Sequence, residues 1–174
     1  EHLEARGIRP FVKTSGKKGV HIVVPLVPGS PFSAVRDFAH GIGKDIARDT
    51  PGVVSEFPHS RDAGTVFIDY LQNAHGKTMA APYSLRATPD ATVSTPVRWE
   101  ELRHGVRSED FNLKTVISRT EDPWRDIFED RQTEQVSGGH RHHQPGFGQG
   151  CLGLGKQALV FDRDGQLIDQ RGEG

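Results

Sequence analysis

Three observations predict a mixed fold of the α/β (α+β) class. Short apolar and β-branched runs, such as residues 21–26 and 66–71, have the composition of strands. Residues 30–50 instead repeat apolar side chains at helical spacing. Clusters of Gly and Pro separate these segments along the chain. Strands that alternate with helices indicate a mixed sheet with helices on its faces.

The N-terminal half contains the clearest elements. Residues 11–13 and 21–26 are predicted strands on either side of a glycine turn. Ser30 and Pro31 suit the N-cap and first position of a helix, which the Thr50-Pro51-Gly52 turn ends. The apolar positions of this helix are Val35, Phe38, Ile42 and Ile46.

The later elements are shorter. Strands are predicted at residues 53–57, 66–71 and 78–85, and a helical turn at residues 99–102. Residues 115–118 suit a short strand or turn. Residues 121–128 suit an amphipathic helix that begins at Pro123.

The composition of the chain limits the classes of protein to which it can belong. A chain of 174 residues can bury one core, so we expect one domain and a tail. The single cysteine, Cys151, excludes intrachain disulfides and cysteine-rich zinc sites. No apolar run reaches membrane-spanning length, and the composition supports an intracellular enzyme without a membrane partner. Because the net charge is −1, DNA contacts need a local basic patch. Its candidate members are Lys13, Lys17, Lys18, Lys77 and Arg86.

The most informative segment is Lys13-Thr-Ser-Gly-Lys-Lys-Gly-Val-His21. It combines lysines, a hydroxyl and an imidazole with glycines that let backbone N–H groups approach an anion closely. This set suits a polyphosphate. A solvated hairpin turn is the alternative, and the segment is not a Walker P-loop because a strand follows it.

Asp69 is the anomaly in the predicted strand of residues 66–71. A carboxylate in an apolar strand is costly to bury unless it is paired or bound to a metal. The alternatives are exposure to water or an ion pair with Arg86 or Lys77.

Several motifs occur together in a fixed order. They are Lys-Thr-Ser-Gly-x-Lys-Gly-x-His, Phe-Ile-Asp-Tyr-Leu-x-Asn, Gly-Lys-Thr, Pro-Tyr-Ser-x-Arg, Val-Ser-Thr-Pro and Asp-Pro-Trp. In this order the series resembles the polymerase domain of bacterial ATP-dependent DNA ligase D, within the archaeo-eukaryotic primase superfamily. That family works in non-homologous end joining. The resemblance covers about residues 1–130 and implies a primase-type catalytic core.

The resemblance also implies roles for single residues. Ser15, Lys18 and His21 would grip the triphosphate of a nucleoside triphosphate, with Arg86 and Lys13 nearby. Asp69 would be the catalytic carboxylate that binds Mn²⁺ or Mg²⁺, ions that prefer hard oxygen ligands. The implied partners are DNA ends and, in the parent protein, possible Ku and a fused ligase domain. His21 would bind phosphate better when protonated.

The family pattern also contains an upstream Asp-x-Asp pair that has no match before Lys13. We therefore expect the N-terminal part of the domain to be missing, and residues 1–174 to be inactive alone. Gln72 and His75 replace arginines common in the family. Two functions stay open: a primase-polymerase that extends DNA ends, and a non-catalytic remnant that binds nucleotides or DNA ends.

The C-terminal region changes character. Residues 131–156 are a predicted Gly/His-rich linker, and residues 157–174 a short hairpin-like tail. Asp162-Arg-Asp164 follows an apolar run, so a displaced metal site is the alternative to a hairpin. Glycine patterns at residues 148–156 lack the strand context of nucleotide loops. A solvated run is the preferred interpretation of the linker's histidines, and metal binding the alternative.

Overall fold

The computed structural model describes residues 1–26, 29–56 and 64–127, together with the backbone of residues 158–162. The strands are β1 (Phe11–Thr14), β2 (Val20–Val23), β3 (Val53–Val54), β4 (Val66–Asp69), β5 (Ser84–Leu85), β6 (Val93–Ser94), β7 (Pro96–Val97) and β8 (Ala158–Asp162). The helices are α1 (Phe32–Asp49), α2 (Trp99–Arg103) and α3 (Leu113–Val116).

A mixed sheet organises the described residues. Six of the strands form it in the order β3-β4-β8-β2-β1-β7, and β5 and β6 form a separate ribbon. The β3–β4 pair is parallel, whereas the other pairs in the large sheet are antiparallel. This architecture confirms the predicted mixed α/β class.

Strands β1 and β2 form the hairpin predicted from the glycine turn. Their register places Val12 opposite Ile22 and Lys13 opposite His21. Because successive side chains point to opposite faces of a sheet, the apolar pair and the polar pair lie on different faces. The local sequence therefore separates a core face from a polar face.

Helix α1 covers the core face. Val12, Ile22 and Val97 of the sheet form one cluster with Ala39 and Ile42 of the helix. All five side chains are buried, as predicted for an amphipathic helix. The helix begins one residue later than predicted, with Pro31 at the N-cap.

A glycine lets α1 approach the sheet. A Cβ atom built on Gly43 would lie 3.2 Å from the Ser55 Cβ and 3.3 Å from the Ile68 Cγ2. A Cβ atom built on Gly41, two residues earlier, would meet nothing within 4 Å. Gly43 is therefore a packing residue, whereas Gly41 is not.

Trp124 covers part of the opposite face. Its ring packs edge-on against Phe11 at a centroid distance of 6.3 Å, in a cluster that also includes Val23. The indole Nε1–H donates to the Val12 carbonyl at 3.0 Å. A bond from a buried indole to the backbone anchors this segment against the sheet.

Three predicted elements differ from the structure. Within residues 78–85 only β5 is a strand, and Pro82 interrupts the run. For residues 115–118 the prediction was a short strand or turn; α3 includes residues 115 and 116, and only residues 117 and 118 form a turn. The side-chain oxygen of Asn112 accepts from the amides of Lys114 and Thr115, which starts that helix.

The predicted helix at residues 121–128 is the third difference. Through residue 127 it consists of turns. The amides of Arg125 and Ile127 donate to the carbonyls three residues earlier, at 3.2 and 3.0 Å, so the segment forms tight turns although the Asp122 carboxylate caps it by accepting the Trp124 amide at 3.0 Å. Residue 128 lies outside the described residues.

The C-terminal strand β8 lies inside the large sheet. It pairs antiparallel with both β2 and β4, so that Val160 stands between His21 and Asp69 in the register. The second half of the predicted hairpin, Asp164 and the Gly/His-rich linker lie outside the described residues. The hairpin, the tail and the displaced metal site therefore stay predictions.

Within residues 1–26, 29–56 and 64–127, no helix has the length and apolar composition needed to cross a membrane.

We predict that Gly43→Val destabilises the fold by about 1–3 kcal/mol, because the added side chain forces α1 away from Ile68. Gly41→Val adds the same atoms to the same helix at an exposed position, and we expect a change within about 0.5 kcal/mol. Urea unfolding of both variants measures the difference. Equal losses in the two variants would contradict the close packing at Gly43.

Candidate anion-binding site

A buried polar network occupies the polar face of the β1–β2 hairpin. The Lys13 side chain is 0% exposed and His21 is 8% exposed. The Lys13 Nζ lies 2.8 Å from His21 Nδ1 and donates to Ser94 Oγ at 2.5 Å. Ser94 Oγ donates in turn to the Thr14 carbonyl at 2.8 Å. Strand pairing and one distant serine therefore hold both the lysine and the histidine.

The surroundings of these two residues disfavour positive charge. Burial lowers the pKa of Lys13 from 10.5 to about 7, and the nearby Arg86 guanidinium lowers it further in the same direction. Burial, then Lys13 and Arg86, lower the pKa of His21 from 6.5 to about 3. At neutral pH the empty site therefore holds a neutral imidazole, although the sequence suggested that protonated His21 would bind phosphate better.

No carboxylate of the described residues forms an ion pair with Lys13, His21 or Arg86. Arg86 also has a buried Nε atom with no hydrogen-bond partner among these residues. Buried cations are normally paired, because burial of an isolated charge is costly. A site with two cations, an imidazole and an unused N–H group is suited to an anion.

The turn that precedes His21 is held in one conformation. Ser15 Oγ accepts from the amides of Lys17 and Gly19, each at 3.1 Å. The Ser15 amide donates to the Gly19 carbonyl at 2.8 Å, which closes the turn. Ser15 therefore has a structural role that the sequence did not reveal, and its own hydroxyl proton can still be donated.

Gly16 is where this turn meets the rest of the site. Its φ is +70°, and a Cβ atom there would lie 2.5 Å from the Arg86 Cγ and 2.9 Å from the Ser94 amide nitrogen. Its carbonyl accepts a hydrogen bond from Thr92 Oγ1. The absence of a side chain at Gly16 thus allows the turn to pack against Arg86 and Ser94.

Asp69 ends β4 on the same face of the sheet. The register runs from His21 through Val160 to Asp69 in directly opposed positions, and such residues share a face. Two strand spacings separate the Cα atoms of His21 and Asp69, about 10 Å in all. The basic turn and the acidic strand residue therefore do not lie on opposite faces.

The Asp69 carboxylate is half-buried and already hydrogen-bonded. Oδ1 accepts from the Leu71 amide at 3.0 Å, and Oδ2 accepts from Gln72 Nε2 at 3.1 Å. Within the described ranges it forms no ion pair with Arg86 or Lys77. Each oxygen keeps a second lone pair, so these bonds orient the group and leave it able to bind a metal.

A complete metal centre is not assembled in the part of the chain that the structure describes. There, no three His, Cys, Asp or Glu side chains are grouped to hold an ion. Asp69 fits the role of one hard ligand for Mg²⁺ or Mn²⁺, and further oxygen ligands are needed.

The structure joins some of the sequence-predicted site residues directly. Lys13 and His21 are in contact, and Arg86 acts on both through its charge. Lys18 is exposed on the turn, and Asp69 lies two strands away. Sequence reasoning gave no role to Ser94, although the Val-Ser-Thr-Pro motif that contains it was recognised.

We predict that the anion-free protein becomes more stable as the pH rises from 7 to 10. The pKa of Lys13 is about 7 when folded and 10.5 in its ordinary state, so the unfolded chain binds the extra proton in this range. The free energy of unfolding therefore rises with pH. His21 also makes the free energy of unfolding rise with pH, between about pH 3 and 6.5, because the unfolded chain binds the extra proton there. Tyr83, whose pKa is raised to about 12, opposes the trend only above pH 10.

Urea unfolding at several pH values measures this slope, and Lys13→Met tests its origin. We expect this variant to lose most of the slope between pH 7 and 10 and to unfold at higher urea concentration at pH 7. Lys77→Met, at an exposed position, is the matched control and should keep the slope. A slope unchanged by Lys13→Met would show that another group causes it.

We predict a second effect at the turn: Gly16→Ala should be more destabilising than Gly76→Ala. Both glycines have positive φ, +70° and +79°, so an alanine suffers similar backbone strain at either position. Only at position 16 would the added methyl group collide with Arg86 and Ser94, and overpacking of this kind adds about 1–3 kcal/mol to the loss of stability. Thermal unfolding compares the two variants, and equal losses would argue against the close approach.

Comparison with known proteins shows to which family the chain belongs. Residues 1–128 match the family model of the LigD primase-polymerase domain. The multifunctional non-homologous end joining protein LigD of Pseudomonas aeruginosa is 38% identical over 136 residues, which are 75% of this chain and 16% of that protein. The bifunctional LigD of Bacillus subtilis is 31% identical over 140 residues, 78% of this chain and 23% of that protein.

A solved structure of a ligase D polymerase domain is also similar to this chain. The polymerase domain from Mycobacterium tuberculosis ligase D, in complex with DNA, superposes with a TM-score of 0.63 at 32% identity. The match covers 75% of this chain and 46% of that one. The chain thus spans a minor part of its relatives' length. Since the family match extends over residues 1–128, this chain belongs to the LigD primase-polymerase domain family.

Proposed function

We propose that this chain is the triphosphate-binding part of a nucleotidyltransferase that adds nucleotides to DNA ends in non-homologous end joining. The observation that carries the proposal is the site formed by the buried Lys13 and the half-buried Arg86 beside His21, a site without a carboxylate partner among the described residues. Family membership supports the same class of reaction.

The chemistry of the site favours a polyphosphate. An anion bound there would supply the negative charge that the described residues do not provide, and it would accept hydrogen bonds from Arg86 and His21. Lys18 and Ser15 lie on the adjoining turn and would contact the outer phosphates. A neutral ligand would leave the charge of Lys13 and Arg86 uncompensated.

The reaction is metal-dependent in this proposal, with Asp69 as a ligand of Mg²⁺ or Mn²⁺. When bound, divalent ions neutralise the triphosphate and align the attacking and leaving oxygens. The role of this chain is to hold the phosphates at the Lys13–His21 site and to orient one carboxylate through Leu71 and Gln72. The shared face and the spacing of about 10 Å suit a single metal-bound triphosphate.

Asp69 alone does not complete such a centre, so we propose that residues 1–174 do not catalyse by themselves. The further carboxylates would come from outside the described residues, as in the upstream Asp-x-Asp of the family pattern.

The partners of the reaction follow from the relatives. The similar polymerase domain was solved in complex with DNA, and the similar full-length proteins are described as multifunctional or bifunctional end-joining proteins. We propose DNA ends and a nucleoside triphosphate as partners, and in the parent protein a fused ligase domain and Ku. A cytoplasmic bacterial location fits this role.

A second candidate function uses the same site. Because the described residues do not assemble a metal centre, the chain could also be a non-catalytic remnant that binds nucleotides or DNA ends. The two candidates agree on binding and differ on catalysis.

We predict that His21→Ala weakens binding of a nucleoside triphosphate with Mg²⁺ about 10- to 100-fold. The loss of one hydrogen bond to a charged group costs about 1.5–3 kcal/mol, and each 1.4 kcal/mol is a tenfold change in affinity. Calorimetry of residues 1–174 measures it. His104→Ala, at an exposed position at the C-terminal end of α2, is the matched control and should bind normally.

Circular dichroism must show that the His21→Ala variant is folded. If the substitution unfolds the protein, His21→Gln takes its place, since it keeps a polar side chain in the site. Normal nucleotide affinity in a folded His21 variant would contradict the proposed site.

Primer extension with Mn²⁺ and mixed nucleotides separates the two candidate functions. We expect no extension by residues 1–174, and extension by the same chain lengthened upstream to include an Asp-x-Asp pair. Asp69→Asn in the longer chain should abolish extension. Activity of residues 1–174 alone would refute their proposed dependence on further carboxylates, and inactivity of a folded longer chain that contains this pair would favour the binding remnant.

A further inference from the structure

We propose that Lys13 is a positioning residue that holds His21 as the neutral tautomer with its proton on Nε2. His21 would then offer an N–H donor, and not a lone pair, to the bound phosphate. The inference rests on the proposed function for the identity of the ligand. The tautomer itself is a property of the empty protein and can be measured without any ligand.

The first step is the direction of the hydrogen bond between Lys13 and Ser94. A serine hydroxyl has one proton, and that of Ser94 is donated to the Thr14 carbonyl at 2.8 Å. The contact of 2.5 Å between Ser94 Oγ and Lys13 Nζ must therefore use a proton of the lysine. Ser94 thus fixes the orientation of the Lys13 amino group.

The second step concerns His21 Nδ1, which lies 2.8 Å from Lys13 Nζ. At pH 6, below the pKa of Lys13, the amino group is an ammonium with three donors and no acceptor, so Nδ1 must accept. The proton of a neutral imidazole is then on Nε2, because the hydrogen bond made by one ring nitrogen decides the state of the other. Within the described residues Nε2 has no hydrogen-bond partner, so its N–H group remains available.

The third step excludes full protonation of the pair. An imidazolium carries a proton on Nδ1, which would face a proton of the Lys13 ammonium at 2.8 Å. Burial and the Arg86 charge oppose a second positive charge at the same place. Below pH 7 the single positive charge of the pair is therefore on Lys13, and His21 stays neutral with its proton on Nε2.

The consequence for binding is that the site selects ligand groups that accept a hydrogen bond. A phosphate oxygen accepts from Nε2–H, while the same position disfavours a ligand group that can only donate, such as an ammonium. The ionisable groups that affect the pair are Lys13 on β1, His21 on β2 and Arg86 after β5; Ser94 on β6 is uncharged.

Nitrogen-15 NMR of the histidine rings tests the tautomer in the ligand-free protein at pH 6. Comparison with His21→Gln assigns the His21 signals. We expect two-bond couplings that report a proton on Nε2 and none on Nδ1. A proton on Nδ1 alone in the wild-type protein would overturn the proposal.

Lys13→Met tests the cause, because it keeps the length of the side chain and removes the donor. We expect the His21 signals to shift towards a mixture of tautomers or towards the imidazolium. An unchanged Nε2–H tautomer in a folded Lys13→Met protein would show that Lys13 does not set it. Should Lys13→Met fail to fold, Ser94→Ala provides the second test. It frees Lys13 Nζ from its oriented bond, and it should weaken the tautomer preference; no change would again contradict the proposal.

Two substitutions of His21 test the importance of Nε2–H for binding. The amide nitrogen of Gln reaches the position of Nε2, whereas that of Asn reaches the position of Nδ1. We expect His21→Gln to bind a nucleoside triphosphate with Mg²⁺ at least fivefold more tightly than His21→Asn. Equal affinities would contradict the role of Nε2–H. If wild-type protein does not bind the triphosphate at all, the proposed function fails while the tautomer measurement still stands.

Discussion

The contact between Lys13 Nζ and His21 Nδ1 is the interaction on which the rest of the site depends. Both residues are buried, and no described carboxylate offsets the positive charge of Lys13. The register of β1 and β2 places the two residues directly opposite each other, which holds them in contact despite the cost of burial. Core packing by α1 on the other face supplies the stability that the polar face does not.

This arrangement illustrates why a binding site can oppose stability. A buried ammonium without a counter-ion destabilises the empty protein, and the same deficit of negative charge favours binding of an anion. A ligand that binds only the folded state stabilises it by mass action. The Nε of Arg86, which has no hydrogen-bond partner among the described residues, belongs to the same deficit. In the proposed function, an anion would supply the negative charge that the described residues lack.

Much of the fold follows from local patterns. The β1–β2 hairpin and α1 were predicted because their apolar spacing and turn residues extend over many positions. The short elements were less predictable. Thr115 belongs to a helix that Asn112 caps, whereas residues 123–127 form turns although Asp122 makes the same kind of bond to the Trp124 amide. In segments this short a cap does not by itself decide between helix and turn.

The sequence by itself determined the family, the hairpin that carries Lys13 and His21, and the chemical types of residue in the site. Those properties depend on neighbouring residues and on motif order. Only the tertiary structure decided that Ser94 orients Lys13, that Gly16 touches Arg86, and that β8 lies between His21 and Asp69. These relations join residues far apart in the chain. Their geometry and the resulting pKa values depend on burial, which no local pattern of residues specifies.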